Sequence, residues 1–409
     1  MSSAAPQRLD SLTGLRGVFS TTVFVGHVAA SWIFAYEFSK VMLGIIVGPG
    51  QAAVGWFFMT SGFVLVWIAR PHEKPRDFFR RRIAKIFPNH LVTWGAGAVL
   101  LYTLGTWTGW KVLPSLVLVH AWIPLPAVLI NVDGPNWSLS NEAFFYLLFP
   151  LTLVWVRRIR PERLYAWVIA LVGIIWAWTI FVAVVLPSGD KIWGLVPSVP
   201  FYFLMWFPPA RLPEFLLGMI IARMVMEGQW KRVHGGWTVG LLLAAWALSL
   251  VIPRPFGFVA PFLPGMVLMT GNAAVADLSG VKQRFAKPWL VWLGDRSFAF
   301  YLIHLLVLTY ALRLFGPEPE RFGPGLWAWP LGLLYVLACL AVSIYLAHLL
   351  HTKVELPAMR KWGRAARAPK SAAPTEVTAT EVSATDVAAA EAAKAQVDDV
   401  PSPQGEPAR

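Results

Sequence analysis

The chain has 409 residues, of which 57% are hydrophobic and only 14% are charged, and its formal net charge is +13. Soluble domains carry about 25% charged residues, so this composition excludes an ordinary soluble enzyme. Many apolar runs reach the length of roughly 18 residues that crosses a bilayer as a helix, which predicts an all-α polytopic membrane protein. The single cysteine, Cys339, excludes an intramolecular disulfide and a metal–thiolate cluster, and we predict no metal site.

The positive charge is concentrated in short segments between apolar runs. This placement is typical of cytoplasmic loops and argues against nucleic acid as a partner. The most basic of these segments, 70–85, holds seven Lys and Arg residues. We therefore place this segment and both termini in the cytoplasm, in a multi-pass protein of the inner (plasma) membrane. Residues 1–362 are expected to form the transmembrane domain. Residues 363–409 have few groups able to form a core and are expected to be a disordered cytoplasmic tail.

Ten membrane-spanning helices are expected, plus one segment that does not cross. The spans cover about 12–35, 42–69, 87–107, 137–156, 164–186, 201–226, 237–252, 258–276, 289–315 and 325–350. The run 112–130 is also apolar, but it contains three prolines. If it crossed the membrane, the basic segment 157–163 would face outward. We therefore expect the run 112–130 to be re-entrant or to lie at the membrane interface.

The first span carries two ionisable residues, Arg16 and His27. Eleven helical residues turn through nearly three full circles, so both side chains lie on one face, about 16 Å apart along the axis. Ionisable groups inside a membrane are costly and commonly functional. The stripe either lines a reaction cavity, or consists of an Arg16 that reaches the membrane surface and a packed, hydrogen-bonded His27.

Three further motifs carry polar residues. Glu142 lies near the start of the fourth span, where it either favours the helix dipole or faces a cavity and polarises an imidazole. Ser61 and Gly62 favour close helix packing over a direct chemical role. Arg82 and Lys85 are three residues apart and share a helical face, so they can bind phosphates as well as mark the cytoplasmic side.

His304 in the ninth span is interpreted as structural. It follows Asp295 by nine residues, which places the two side chains about 180° apart around a helix. The two cannot face one partner, so neither is included among the candidate catalytic residues.

Together these motifs resemble those of the acyltransferase-3 family of integral-membrane O-acyltransferases. The segments that carry the resemblance are LTGLR (12–16) with His27, FFMTSGF (57–63), RRRIAKIFP (80–88), WSLSNEAFFY (137–146), LGDRSFAFYLIH (293–304) and ELP (355–357). The chain resembles the stand-alone form, without a fused esterase-like domain. One departure is Lys85, where the family usually has a second arginine; lysine keeps the charge but loses bidentate phosphate binding.

The resemblance implies ten transmembrane helices and an acyl-CoA donor, such as acetyl-CoA, on the cytoplasmic side. It also implies transfer of the acyl group to a hydroxyl of a sugar-containing acceptor, and that Arg16 and His27 are essential. No permanently bound cofactor is expected. An envelope polysaccharide or glycolipid is the favoured acceptor, and a macrolide-type secondary metabolite is the alternative.

A mechanism follows as a hypothesis. His27 acts as the general base, because an imidazole with a pKa near 6.5 is neutral at physiological pH. Glu142 orients His27. The residues that bind the phosphates of the donor are Arg16, Arg82 and Lys85. Candidates for the group that stabilises the oxyanion are Ser61, Asn136 and Trp137.

Other functions compete with this one. A transporter or flippase of a glycan or small molecule explains the buried charges, but it leaves the motif series unexplained. A carrier that moves acyl groups across the membrane differs only in its final acceptor. A non-enzymatic scaffold is disfavoured by His27 and Glu142.

Overall fold

The computed structural model describes residues 7–363 apart from 32, 35, 71–72, 193–195, 282 and 316–328. The predicted tail, beyond Gly363, lies outside these residues. The described chain forms ten helices of at least 16 residues, one for each predicted span. They are α1 Asp10–Ala30, α2 Tyr36–Trp67, α3 Pro75–Thr103, α4 Trp137–Arg158, α5 Leu164–Val185, α6 Pro208–Met226, α7 Gly235–Val251, α8 Leu263–Leu278, α9 Pro288–Phe315 and α10 Trp329–Leu349.

Several of these helices meet the requirements of a membrane span by length and apolar composition alone. Within the described residues six helical segments do so, and they contain α2, α4, α5, α8, α9 and α10. The helix α7 is apolar but has only 17 residues. This architecture confirms the predicted class, a polytopic all-α membrane protein.

The segment predicted to be re-entrant does not form one continuous helix. It consists of short turns at Gly109–Val112, Leu113–Leu116, His120–Trp122, Pro126–Leu129 and Gly134–Asn136. Prolines interrupt helices because they lack an N–H group and clash with the preceding turn. Side chains of α3 bind this broken segment: Trp94 Nε1 donates to the Ser115 hydroxyl at 2.9 Å, and His90 Nε2 lies 3.1 Å from the Leu116 carbonyl oxygen.

The remaining elements are short. The helical ones are Pro161–Arg163, Ser198–Phe201, Tyr202–Trp206, Arg254–Gly257, Ala260–Phe262, Arg284–Ala286, Leu350–Glu355 and Leu356–Trp362. Two of them, Tyr202–Trp206 and Leu350–Glu355, are π-helical. The strands β1 (Lys191–Ile192) and β2 (Val196–Pro197) pair antiparallel, with Lys191 opposite Pro197. The predicted span 201–226 is therefore broken, since the chain leaves the π-helical turn at Phe207 before α6 begins.

Two helix ends differ from the prediction in ways that matter for the site. The helix α1 ends at Ala30 and not at residue 35, so His27 lies in its last turn and not near its middle. The helix α3 begins at Pro75, where a proline is favourable at the first helical position, and not near residue 87. The basic segment is thus largely helical.

Glycines bring two pairs of helices into backbone contact. A Cβ atom on Gly294 of α9 would lie 1.8 Å from the Thr13 carbonyl oxygen of α1. A Cβ atom on Gly62 of α2 would lie 2.0 Å from the Phe215 carbonyl oxygen of α6. Small residues at such crossings allow the close approach on which helix packing in membranes depends. The packing interpretation of Gly62 is therefore confirmed.

Candidate active site

A cavity of about 700 Å³ occupies one half of the bundle, and we call it the histidine cavity. Its walls come mainly from the C-terminal halves of α1, α3 and α9, the N-terminal half of α2 and residues 130–134, and Trp137, Phe201 and Trp206 also line it. Most of the lining is aliphatic or aromatic, and His27 is part of it. A volume of this size holds a small-molecule substrate.

His27 is fixed by a second histidine from α9. Its Nδ1 atom lies 2.8 Å from Nε2 of His304, and the His304 side chain is fully buried. Nδ1 of His304 lies 3.0 Å from the carbonyl oxygen of Phe300. A carbonyl oxygen can only accept a hydrogen bond, so Nδ1 of His304 carries the proton. Its unprotonated Nε2 then accepts a hydrogen bond from the Nδ1–H group of His27. A neutral His27 therefore keeps the lone pair of its own Nε2 free.

The contact of His304 with His27 was not predicted, because helical periodicity relates His304 only to residues of its own helix. The contact is made between helices, across 277 positions of the chain. Aromatic packing holds the ring: it stacks on Phe300 with a centroid distance of 5.6 Å and an interplanar angle of 12°. The one available signal was that His304 ends the LGDRSFAFYLIH motif.

A second, smaller space of about 50 Å³ lies toward the N-terminal end of α1, and we call it the arginine pocket. Arg16, Glu142 and Ser297 line it, together with apolar side chains. Val54 and Tyr301 line both the arginine pocket and the histidine cavity. The two residues of the predicted stripe, Arg16 and His27, thus face two different but adjoining spaces.

The arginines around this pocket differ in whether an acid neutralises them. Two arginines of α3 are paired, Arg80 with Asp77 at 3.1 Å and Arg81 with Glu73. Arg16 and Arg82 form no ion pair with an acid in the part of the chain that the structure describes. The Arg82 guanidinium lies 5.9 Å from the ring centroids of Phe78 and Tyr146. Arginines without a described acidic partner, one lining the pocket and one packed on Tyr146 beside it, suit an anionic ligand.

Lys85 differs from these two arginines because its charge has a partner. Its Nζ atom forms an ion pair with Glu355, which is fully buried. Asn89 Nδ2 donates to the other carboxylate oxygen of Glu355 at 3.0 Å. The π-helical turn Leu350–Glu355 presents this carboxylate to α3. This pairing was not predicted, although Glu355 belongs to the ELP (355–357) motif.

Glu142 lies near the positively charged side chains around the arginine pocket. Its Oε2 accepts a hydrogen bond of 3.0 Å from Tyr146, whose hydroxyl is 3.3 Å from Ser61 Oγ. The charges of Arg16, Arg82 and Lys85 are close enough to act on this carboxylate. Among the described residues, His304 makes the ring contact to His27, and Glu142, which was predicted to orient His27, lines the arginine pocket.

No group of three or more His, Cys, Asp and Glu side chains within the described ranges is arranged to hold a metal ion.

The chain is similar to known proteins over most of its length. Residues 9–348 match the family described as the acyltransferase domain, Acyl_transf_3. Acyltransferase MdmB from Streptomyces mycarofaciens is 37% identical over 376 residues, which cover 89% of this chain and 96% of that protein. Exopolysaccharide production protein ExoZ from Rhizobium meliloti (strain 1021) is 25% identical over 331 residues, or 79% of this chain and 94% of that protein. No solved structure matches significantly. The chain therefore belongs to the acyltransferase-3 family and is a polytopic membrane O-acyltransferase.

Proposed function

We propose that the protein moves an acyl group from acyl-CoA to a hydroxyl of a sugar-containing acceptor bound in the histidine cavity, with His27 as the general base. The observation that carries this proposal is the pair of histidines. His304 holds Nδ1 of His27 at 2.8 Å, in a ring that lines a cavity of about 700 Å³. A neutral imidazole with one nitrogen free and the other held is the arrangement that removes a hydroxyl proton efficiently.

The reaction needs no group beyond the two substrates and the side chains. Nε2 of His27 takes the hydroxyl proton as the acceptor oxygen attacks the thioester carbonyl carbon. The new C–O bond forms, the C–S bond breaks, and the CoA thiolate leaves with the proton returned by His27. Trp137 lines the cavity, and its indole N–H forms no hydrogen bond with a described residue. Trp137 is our candidate for stabilising the oxyanion.

Arg16 and Arg82 bind the phosphates of the donor in this proposal. Neither forms an ion pair with a described acid, whereas the charge of Lys85 is matched by Glu355 and holds the π-helical turn after α10 on α3. The arginine pocket, at about 50 Å³, is too narrow for a pantetheine arm. Side chains of its wall, such as Phe57 and Phe298, therefore move when the donor enters.

In this proposal the substrates reach each other along the two adjoining spaces, from opposite ends of the bundle. The helix α3 carries Arg82 near its start, and its residues 97–104 line the histidine cavity, about 22 Å further along the axis. The donor then enters from the cytoplasmic side of the plasma membrane, where both termini lie, and the acceptor from the opposite side. The likeness to ExoZ, named for exopolysaccharide production, supports a glycan or glycoside as the acceptor.

Release of CoA thiol from acetyl-CoA by the purified protein in detergent tests this proposal, with alkyl glycosides as acceptor probes. The wild type is expected to release thiol in an acceptor-dependent manner, and His27→Ala to lower kcat by about 10²- to 10⁴-fold, as loss of a general base does. The control is His234→Ala, which removes an exposed histidine of the α7 N-terminus. Full activity in His27→Ala, or thiol release that ignores the acceptor, would overturn the proposal.

A further inference from the structure

A buried acid in the histidine cavity has no partner. Asp133 lies in the broken segment, is 3% exposed and lines the cavity. Neither of its carboxylate oxygens accepts a well-formed hydrogen bond from a described residue. Thr93 is the polar side chain beside it, but the Thr93 hydroxyl donates to the His90 carbonyl oxygen at 3.2 Å. An unpaired carboxylate in such surroundings is costly, so a group on a ligand is its expected partner.

The backbone around Asp133 is held from two sides. A Cβ atom on Gly97 of α3 would lie 2.3 Å from the Val132 carbonyl oxygen, so the helix backbone presses directly on this segment. From α9, the Tyr301 hydroxyl donates to the Pro135 carbonyl oxygen at 3.2 Å. The backbone that carries the Asp133 carboxylate is therefore packed against both α3 and α9.

The charge of the cavity is unbalanced. Apart from the neutral His27, Asp133 is the one ionisable acid or base among the described residues that line it, and no Lys or Arg is among them. Four aromatic side chains, Trp137, Phe201, Trp206 and Tyr301, also line the cavity. Aromatic faces attract cations, and a buried carboxylate is stabilised by an opposite charge. A ligand that complements this cavity has a largely apolar body and one positive charge.

We propose that Asp133 binds a protonated amino group of the acceptor, so that this enzyme acylates amino sugars or similar hydroxylated amines carried on an apolar body. The inference rests on the proposed function in one respect, namely that the acceptor occupies the histidine cavity. Asp133 anchors the ammonium group, and the anchored acceptor presents a hydroxyl to His27 in the same cavity.

Two matched alkyl glycosides test this site, one with a sugar hydroxyl and the other with a dimethylamino group at that position. A tertiary amine forms no stable amide, so transfer to either probe is transfer to a hydroxyl. Binding is measured by isothermal titration calorimetry at neutral pH in detergent. The wild type is expected to bind the dimethylamino glycoside at least roughly 30-fold more tightly, which is the scale on which loss of one member of a buried charge pair acts.

Asp133→Asn is expected to abolish this preference by weakening the binding of the dimethylamino glycoside at least about 30-fold relative to the hydroxyl glycoside. The matched control is Asp190→Asn, the same substitution at an exposed acid outside the cavity. If the wild type bound both glycosides with equal affinity, that result alone would overturn the proposal of an amine-binding site. It would also be overturned by a loss of kcat for both glycosides in Asp133→Asn with unchanged affinities, which would assign Asp133 to the chemistry. Amine-selective, Asp133-dependent binding without acyl transfer would uphold the amine site and overturn the proposed reaction.

Discussion

The histidine cavity and the arginine pocket adjoin each other but differ in size and in the charge of their lining. The cavity is wide and mostly apolar, and its imidazole base is held by another neutral ring. The pocket is narrow, and the unpaired arginine Arg16 lines it with the carboxylate of Glu142. A neutral base needs surroundings that do not protonate it, and a phosphate needs unmatched positive charge. Separating the two along α1 lets one helix supply both Arg16 and His27.

The largest change in kcat is expected when His304, which holds the catalytic ring of His27, is replaced. His304→Leu removes the acceptor for Nδ1–H of His27, so the ring can rotate or adopt the other tautomer, and kcat should fall by at least about 10²-fold with both KM values unchanged. His304→Gln places an amide oxygen near the former Nε2 position and should restore much of the rate. Steady-state kinetics at several pH values check this. Equal losses in the Leu and Gln variants would show that His304 only fills space.

Substitutions near the arginine pocket should change the KM for acyl-CoA and not kcat. Arg82→Gln removes one unpaired charge and should raise the KM for acyl-CoA about 10-fold or more, with kcat and the acceptor KM little changed. Arg76→Gln, at an exposed position of the same helix, is the matched control. A change confined to the acceptor KM in Arg82→Gln would contradict the assignment of donor and acceptor to separate spaces.

The wall shared by the two spaces offers a third test. Val54 lines both of them and is 5% exposed. Val54→Phe should fill the junction and lower kcat by about 10-fold, while the binding of desulfo-CoA, a non-reactive analogue of the donor, measured by calorimetry stays within about twofold. An unchanged kcat would indicate that the acyl group does not pass this point. The thermal midpoint of the variant distinguishes a filled passage from a disturbed fold.

The smallest effect on chemistry, and a clear effect on stability, is expected at the crossing of α1 and α9. Gly294→Ala places a methyl group 1.8 Å from the Thr13 carbonyl oxygen and should cost about 1–3 kcal/mol of stability. Gly173→Ala, where a Cβ atom meets nothing within 4 Å, should be neutral or slightly stabilising. Thermal unfolding in detergent checks this. Similar midpoints for both variants would mean that the crossing can widen without cost, in which case the His27–His304 contact would not depend on it.

The sequence predicted what depends on local pattern. Apolar length was enough to locate the ten long helices of the described chain, where six helical segments qualify as spans by length and composition. The prolines near 114–126 were enough to predict a broken segment. Helical periodicity correctly put Arg16 and His27 on a face that meets open space. These features need no knowledge of which helices are neighbours.

The features that were missed depend on contacts between distant segments. His304 contacts His27 only because α1 and α9 cross at glycines, and Glu355 reaches Lys85 only through a π-helical turn. Asp133 lies outside the long helices, so no periodicity singled it out. The early end of α1 at Ala30 likewise reflects tertiary context, since the apolar run continues beyond it.

We propose that donor and acceptor enter from opposite ends of the bundle and meet at His27. Proteoliposomes in which the protein has one orientation, with acetyl-CoA and the glycoside acceptor supplied on chosen sides, test this entry from opposite sides. Acylated glycoside is expected when acetyl-CoA is on the side of Arg76 and Arg82 and the acceptor is on the other side, and none when the two are exchanged. Product formed only when both substrates are on the same side would contradict it.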